Sequence, residues 1–145
     1  MKNKILTIIC ITLISTSLLN AQTLKVDVTK SKVYWKGTKK VGEHSGLIAI
    51  ENGNVIMKDG KIVGGEVVIN MKGISILDTE DQDDQKDIIK DISSQQFFNV
   101  KEFPTAKIEI KGVFDGMLLG VLTIKGISKK VTFKTSYKMI GKKLE

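Results

Sequence analysis

Gly120-Val121-Leu122-Thr123-Ile124-Lys125-Gly126, with Lys130-Val131-Thr132-Phe133-Lys134-Thr135-Ser136-Tyr137-Lys138 behind it, alternates apolar and polar residues almost one for one. Successive side chains of a strand point to opposite faces, so this period of two predicts strands with one greasy side and one wet side. Gly120, Leu122 and Ile124 share a face of the first strand, and Val131, Phe133, Thr135 and Tyr137 share a face of the second. Lys125-Gly126 supplies the turn between them, and Asp115-Gly116 the turn before them. Upstream, Ile108 and Ile110 oppose Lys107, Glu109 and Lys111 in the same way.

The rhythm extends toward the N-terminus. Leu24, Val26 and Val28 alternate with Lys25, Asp27 and Thr29, and Val33 and Trp35 with Lys32, Tyr34 and Lys36. Gly46, Ile48 and Ile50 share one face, a turn is expected near Gly53, and Asp59-Gly60 makes a second tight turn. Gly64-Gly65 reads as a bulge or bend before Val67, Ile69 and Met71. Character changes at Asp78. From there to Ser94 the chain lacks Gly and Pro and carries Ile88, Ile89 and Ile92 at helical spacing, with Asp78 or Thr79 as the expected N-cap. The whole reads as an all-β protein, an antiparallel barrel or sandwich with one inserted α-helix. Pattern alone does not separate a solid core from a cavity.

Ahead of this domain, Lys2 and Lys4 precede an apolar run from Ile5 to Leu19, and Leu19-Asn20-Ala21 offers a cleavage site. That order predicts a signal peptide over residues 1–21, a mature domain over 22–145, and a periplasmic or secreted destination. The run falls short of the roughly 20 apolar residues of a membrane span. Cys10, the one cysteine, sits within the run and is badly placed for lipid attachment; the mature domain then has no thiol chemistry. The formal charge of +7 falls to +5 once Lys2 and Lys4 are set aside, and every basic residue is lysine. Without arginine's planar fork no nucleic-acid partner is expected. Weak, transient contact with an anionic membrane surface is easier to credit, and the plainest role of these lysines is solubility.

The residues for chemistry are few. His44 is the single histidine, Ser45 beside it points to the opposite face, and no zinc set exists, so neither a catalytic residue nor a metal site is expected. Asp81, Asp83 and Gln85 begin like a calcium loop, but Lys86 stands where the turn glycine is required. His44 has two readings, a ligand head-group contact or a tie holding a loop. Trp35 and the Phe97, Phe98, Phe103 group either line a hollow or fill a core, and the indole N–H needs a partner in both cases.

Taken together, six segments in order resemble the YceI-like family. They are Tyr34-Trp35-Lys36-Gly37, Gly42-Glu43-His44-Ser45-Gly46, Ile62-Val63-Gly64-Gly65, Ser94-Gln95-Gln96-Phe97-Phe98-Asn99-Val100, Phe103-Pro104-Thr105-Ala106, and Gly120 to Gly126 with Lys130-Val131-Thr132-Phe133. The resemblance implies a lipocalin-like antiparallel barrel that holds an isoprenoid lipid or quinone as bound ligand, with no catalytic cofactor. Two departures stand out. Asp91-Ile92 replaces the family's His-Leu pair, and the chain ends at Glu145 where members run on through about two more strands. A barrel lacking those strands has an open seam; the expectation is that the last strands are missing, the alternative that a second copy closes it as a homodimer.

If the alternation is phased correctly, the cavity lining comprises Val33, Trp35, Ile48, Ile50, Val67, Ile69, Phe98, Ile108, Ile110, Leu122, Ile124, Phe133 and Tyr137. His44, with Lys39 or Lys40, is the candidate for a charged head group. The function expected is non-catalytic lipid binding. Its rivals are a ligand-free structural or protein-interaction barrel, and an enzyme acting on a small hydrophobic substrate, which the shortage of catalytic residues disfavours.

Overall fold

The computed structural model describes residues 21–40 and 42–145. The proposed signal peptide, apart from Ala21, lies outside them. The element order is β1 (Gln22–Lys25), β2 (Val33–Thr38), β3 (Glu43–Lys58), β4 (Lys61–Ile76), α1 (Gln82–Ser93), β5 (Thr105–Phe114), β6 (Met117–Ile124), β7 (Ile127–Lys134), β8 (Met139–Ile140) and β9 (Lys143–Leu144). All pairings are antiparallel, and β1 to β7 form one sheet in the order β1-β3-β4-β5-β6-β7, with β2 also on β3. β1 covers the far half of β3 and β2 its near half, so the two share one edge. β8 and β9 form a separate hairpin, and the described strands leave the sheet unclosed. This is an all-β, lipocalin-like fold with one helix.

Three two-residue hairpin turns set the registers. Asp59-Gly60, Asp115-Gly116 and Lys125-Gly126 each put both central residues at positive φ, the backbone that matches the right-handed twist of the flanking strands. The β3–β4 hairpin carries the most curvature. Its strands have 16 residues each, and the pairing slips between Ile48 and Ala49, Ile50 and Asn52, and Ile56 and Met57. Each slip adds twist and bends the hairpin around its apolar face.

Three expectations change here. Gly53 is not a turn; it lies within β3 opposite Val67, and its bare Cα admits the Val26 side chain, whose backbone N–H donates to the Gly53 carbonyl at 2.9 Å. The first strand stops at Lys25, because the Asp27 carboxylate takes hydrogen bonds from Thr29 N (3.1 Å) and Thr29 Oγ1 (2.7 Å), turning the chain away. The helix starts later than its composition suggests, capped by Asp81, which accepts from Asp83 N and Asp84 N. Asp78 is already committed elsewhere, as described below.

Two buried clusters mark the ends of the sheet's inner side. Met57, Ile62, Ile110 and Leu118 form one, with Tyr137 and Leu144 packed on it from the C-terminal segment. Met71, Ile74, Val100 and Ala106 form the other, joined by Trp35, Ile92 and Phe98. On the outer side, Glu66 and Glu109 sit directly opposite on β4 and β5, a like-charge pairing that Lys107 relieves at 3.1 Å and 3.2 Å. Those carboxylates, in turn, hold the Lys107 ammonium above its ordinary pKa.

Trp35 ties three strands together. It stands opposite Gly46, and its Nε1–H donates across β3 to the Ser75 carbonyl at 3.1 Å. A Cβ on Gly46 would collide with that same carbonyl oxygen and crowd the indole. Gly46→Ala is therefore expected to destabilise the fold by about 2 kcal/mol or more, measured as a lower urea midpoint. A midpoint unchanged within error would show that the strands can separate here without loss.

Candidate functional site

Between the two buried clusters the sheet's inner face curves around a half-open hollow of about 650 Å3. Volumes of ~300–1,000 Å3 are usual for small-molecule sites. β3 contributes Ile48 and Ile50; β4, Val67, Ile69 and Met71; β5, Ala106, Ile108 and Ile110; β6, Leu118, Leu122 and Ile124. These residues recur every second position, so the alternation that shapes each strand also lines the hollow. Gly120, between Leu118 and Leu122, adds no side chain to that face, and a Cβ there would press on the Glu109 carbonyl. Phe133 on β7 and Val33 on β2 bring the two edges of the sheet to the same space. Phe98 reaches in from the segment after α1.

That segment is built to present Phe98. Its N–H donates to the Ile92 carbonyl (3.1 Å), Val100 N to Ser93 O (3.0 Å), and Asn99 sits at φ 47° between them. Asparagine tolerates this left-handed backbone where a β-branched residue does not. Phe97 faces solvent, and Phe103 lies over Gly126 at the β6–β7 turn. The aromatic group therefore divides, with Phe98 alone in the hollow.

Of the thirteen proposed lining residues, the structure brings all but Trp35 and Tyr137 to this hollow. Trp35 is spent on the Ser75 contact. Tyr137 lies beyond the end of β7, where the chain leaves the strand after Thr135 N bonds Gly116 O at 2.8 Å; it packs on the Met57 cluster and lines the opening that adjoins the hollow. Met71, Ala106 and Leu118 are lining residues that the sequence reading passed over, although each continues the inward phase of its strand by one step. Val26, Ser31 and Tyr34 also reach the hollow. Ser31 and Tyr34, from the β1–β2 link and the outward phase of β2, carry no pattern that would have found them.

A second, larger opening of about 850 Å3 adjoins the first, and both are lined by Val26 and Ser31. It lies between β1 with its following turn and the β8–β9 hairpin, and is rimmed by Lys25, Lys30, Lys142 and Lys143 with Asp27 and Glu145. Greasy walls thus run out into a polar, lysine-bearing mouth.

His44 lines neither space. Its Nδ1 lies 2.9 Å from Asp78 Oδ2, and the other Asp78 oxygen accepts from Ser45 N, also at 2.9 Å. An ionised carboxylate only accepts, so the histidine's Nδ1 carries the proton it donates. The pair fastens the chain leaving β4 to the start of β3, the loop-tying arrangement. Lys39 and Lys40 belong to the β2–β3 link and line neither space. Among the described residues no three His, Cys, Asp or Glu side chains cluster as a metal site.

The Ser45 amide, and after it the His44 ring, hold the Asp78 carboxyl below its ordinary pKa. A folded-state value below the unfolded one stabilises above the unfolded pKa and is lost as pH falls through the folded one. Asp78→Asn should therefore unfold more readily than the parent at neutral pH, with the difference shrinking from about pH 4 downward. Thermal melts of both proteins across pH 3 to 7 check this; a gap independent of pH would contradict it.

A family model for the YceI-like domain matches residues 24–144. No curated protein matches the chain.

Proposed function

The chain belongs to the YceI-like family, and from that premise we propose that it is a non-catalytic carrier holding an isoprenoid or similar amphiphilic lipid inside the sheet. One observation carries the reading: the hollow is walled by apolar side chains from β2 to β7, most of them aliphatic, yet they leave about 650 Å3 between them. A fold whose inner face served stability alone would gain by filling that space, since interiors otherwise pack at crystal-like density. An apolar chain entering it exchanges water for aliphatic contact. At about 25 cal/mol per Å2 of buried apolar surface, an isoprenoid tail is retained without any specific polar partner.

The lining suits a passive role. Among the described residues, its only members with polar side chains are Ser31 and Tyr34, neither hydrogen-bonded to a histidine or carboxylate, and His44 is engaged by Asp78 away from the hollow. Proton transfer needs a positioned acid or base within hydrogen-bond reach of the reacting atom, which aliphatic walls do not supply. The N-terminal leader reading adds a compartment, the periplasm or the exterior, where a molecule that water rejects needs a container to travel.

Protein purified gently after expression in a bacterial periplasm should yield an apolar compound on solvent extraction, detected by mass spectrometry at near-equal molar ratio. Leu122→Trp, which places an indole in the hollow opposite Ile108, should fold and lose at least about tenfold of that yield, because the void accommodates the added volume that a packed core would resist. Folded parent protein that releases nothing apolar would favour the ligand-free structural module. Undiminished yield from the Trp variant would place the lipid elsewhere.

A further inference from the structure

The mouth differs chemically from the hollow behind it. Lys25 on β1, Lys30 in the following turn, and Lys142 and Lys143 at the β8–β9 hairpin all line the same opening. Two acidic residues share it. The Asp27 carboxylate is occupied by the Thr29 amide and hydroxyl and the Lys30 amide, and Lys30 completes the set at 3.8 Å. Lys25, Lys142 and Lys143 have no carboxylate within ion-pair distance among the described residues, and what sets them apart from other unpaired lysines is that they converge on one opening that adjoins an apolar hollow. Glu145, the other acidic residue, holds none of them in an ion pair, so three of the four lysines of this opening outnumber its one uncommitted acidic side chain where the apolar hollow meets water.

We infer that this opening receives the anionic head of the bound amphiphile, so that the protein prefers a phosphate- or carboxylate-bearing lipid to a neutral one with the same tail. The inference rests on the carrier reading. Val26 and Ser31 belong to both spaces, so a molecule whose tail lies against Ile50, Val67 and Ile108 has a route for its head into the lysine-lined mouth. Lysine suits the task as a solvated point charge that follows an anion without fixing its geometry. The attraction is exposed and hence screened: it sharpens the choice of head more than it holds the tail, and it weakens as salt rises.

Farnesyl monophosphate and farnesol share a tail and differ in the head. Titrated into the full chain at low salt, with Trp35 fluorescence or calorimetry as readout, the phosphate should bind roughly tenfold tighter, and added salt should erode the difference. The triple variant Lys25→Gln, Lys142→Gln, Lys143→Gln should lose most of that preference while keeping its affinity for farnesol. The matching triple Lys→Arg variant should restore it, which separates charge from damage to the fold. Equal binding of the two probes, or a preference that survives the Gln variant, overturns the head-group inference and leaves the carrier reading intact. Binding of neither probe by folded protein overturns both.

Discussion

The β3–β4 hairpin has to bend. Two 16-residue strands with one apolar face cannot lie flat in water without exposing that face. The three register slips coil the hairpin, and the same slips decide which residues turn inward beyond each of them. β5, β6 and β7 then add in sequence to the β4 edge, each registered by the pairing before it, and carry the curvature round. The hollow is a consequence of that coiling, and so is the meeting of Val33 and Phe133 from opposite edges. Trp35 supports the same geometry from the other side of β3 by anchoring β2 to the β4 backbone.

Within this frame the two ends are treated differently. At one, Met71, Ile74, Val100 and Ala106 pack with Ile92 of α1 and with Phe98, closing the space with the protein's own side chains. The helix presents no fully buried residue, and its role is that of a cover held by few contacts. At the other, Met57, Ile62, Ile110 and Leu118 leave room beside the β8–β9 hairpin, where the walls give way to lysines. A molecule with a long apolar part and a charged end matches that gradient. No such gradient is needed by a barrel that serves only as a rigid surface.

Much of the fold was legible because it is written in local rules. Aspartate- or lysine-glycine pairs at positive φ announced three hairpins, and a period of two announced the faces of β4, β5 and β6. What failed was local chemistry put to a non-local use. Asn52-Gly53 looks like a turn, but Gly53 is glycine because Val26, just past the end of β1, packs against its bare Cα. Asp78 looks like a helix cap, but Ser45 and His44, some thirty residues earlier, have claimed its oxygens. Trp35 shares the polarity of the lining residues but is anchored to a backbone carbonyl, and Tyr137, beyond the strand's end, lines the adjoining opening and not the hollow itself. The lysine mouth was illegible for a related reason. Lys25 and Lys143 are far apart in the chain, and only the path of the folded backbone brings them to one opening.

The central claim is that the guest's tail lies against the inner aliphatic face, and contacts between methyl groups test it most directly. With farnesyl monophosphate bound to protein carrying labelled isoleucine, leucine and valine methyls, nuclear Overhauser contacts should join the isoprenoid methyls to Ile69, Ile108 and Leu122. Contacts confined to outward-facing Val63 and Leu119 would mean that the lipid rides on the surface, and the enclosed-carrier account would be wrong.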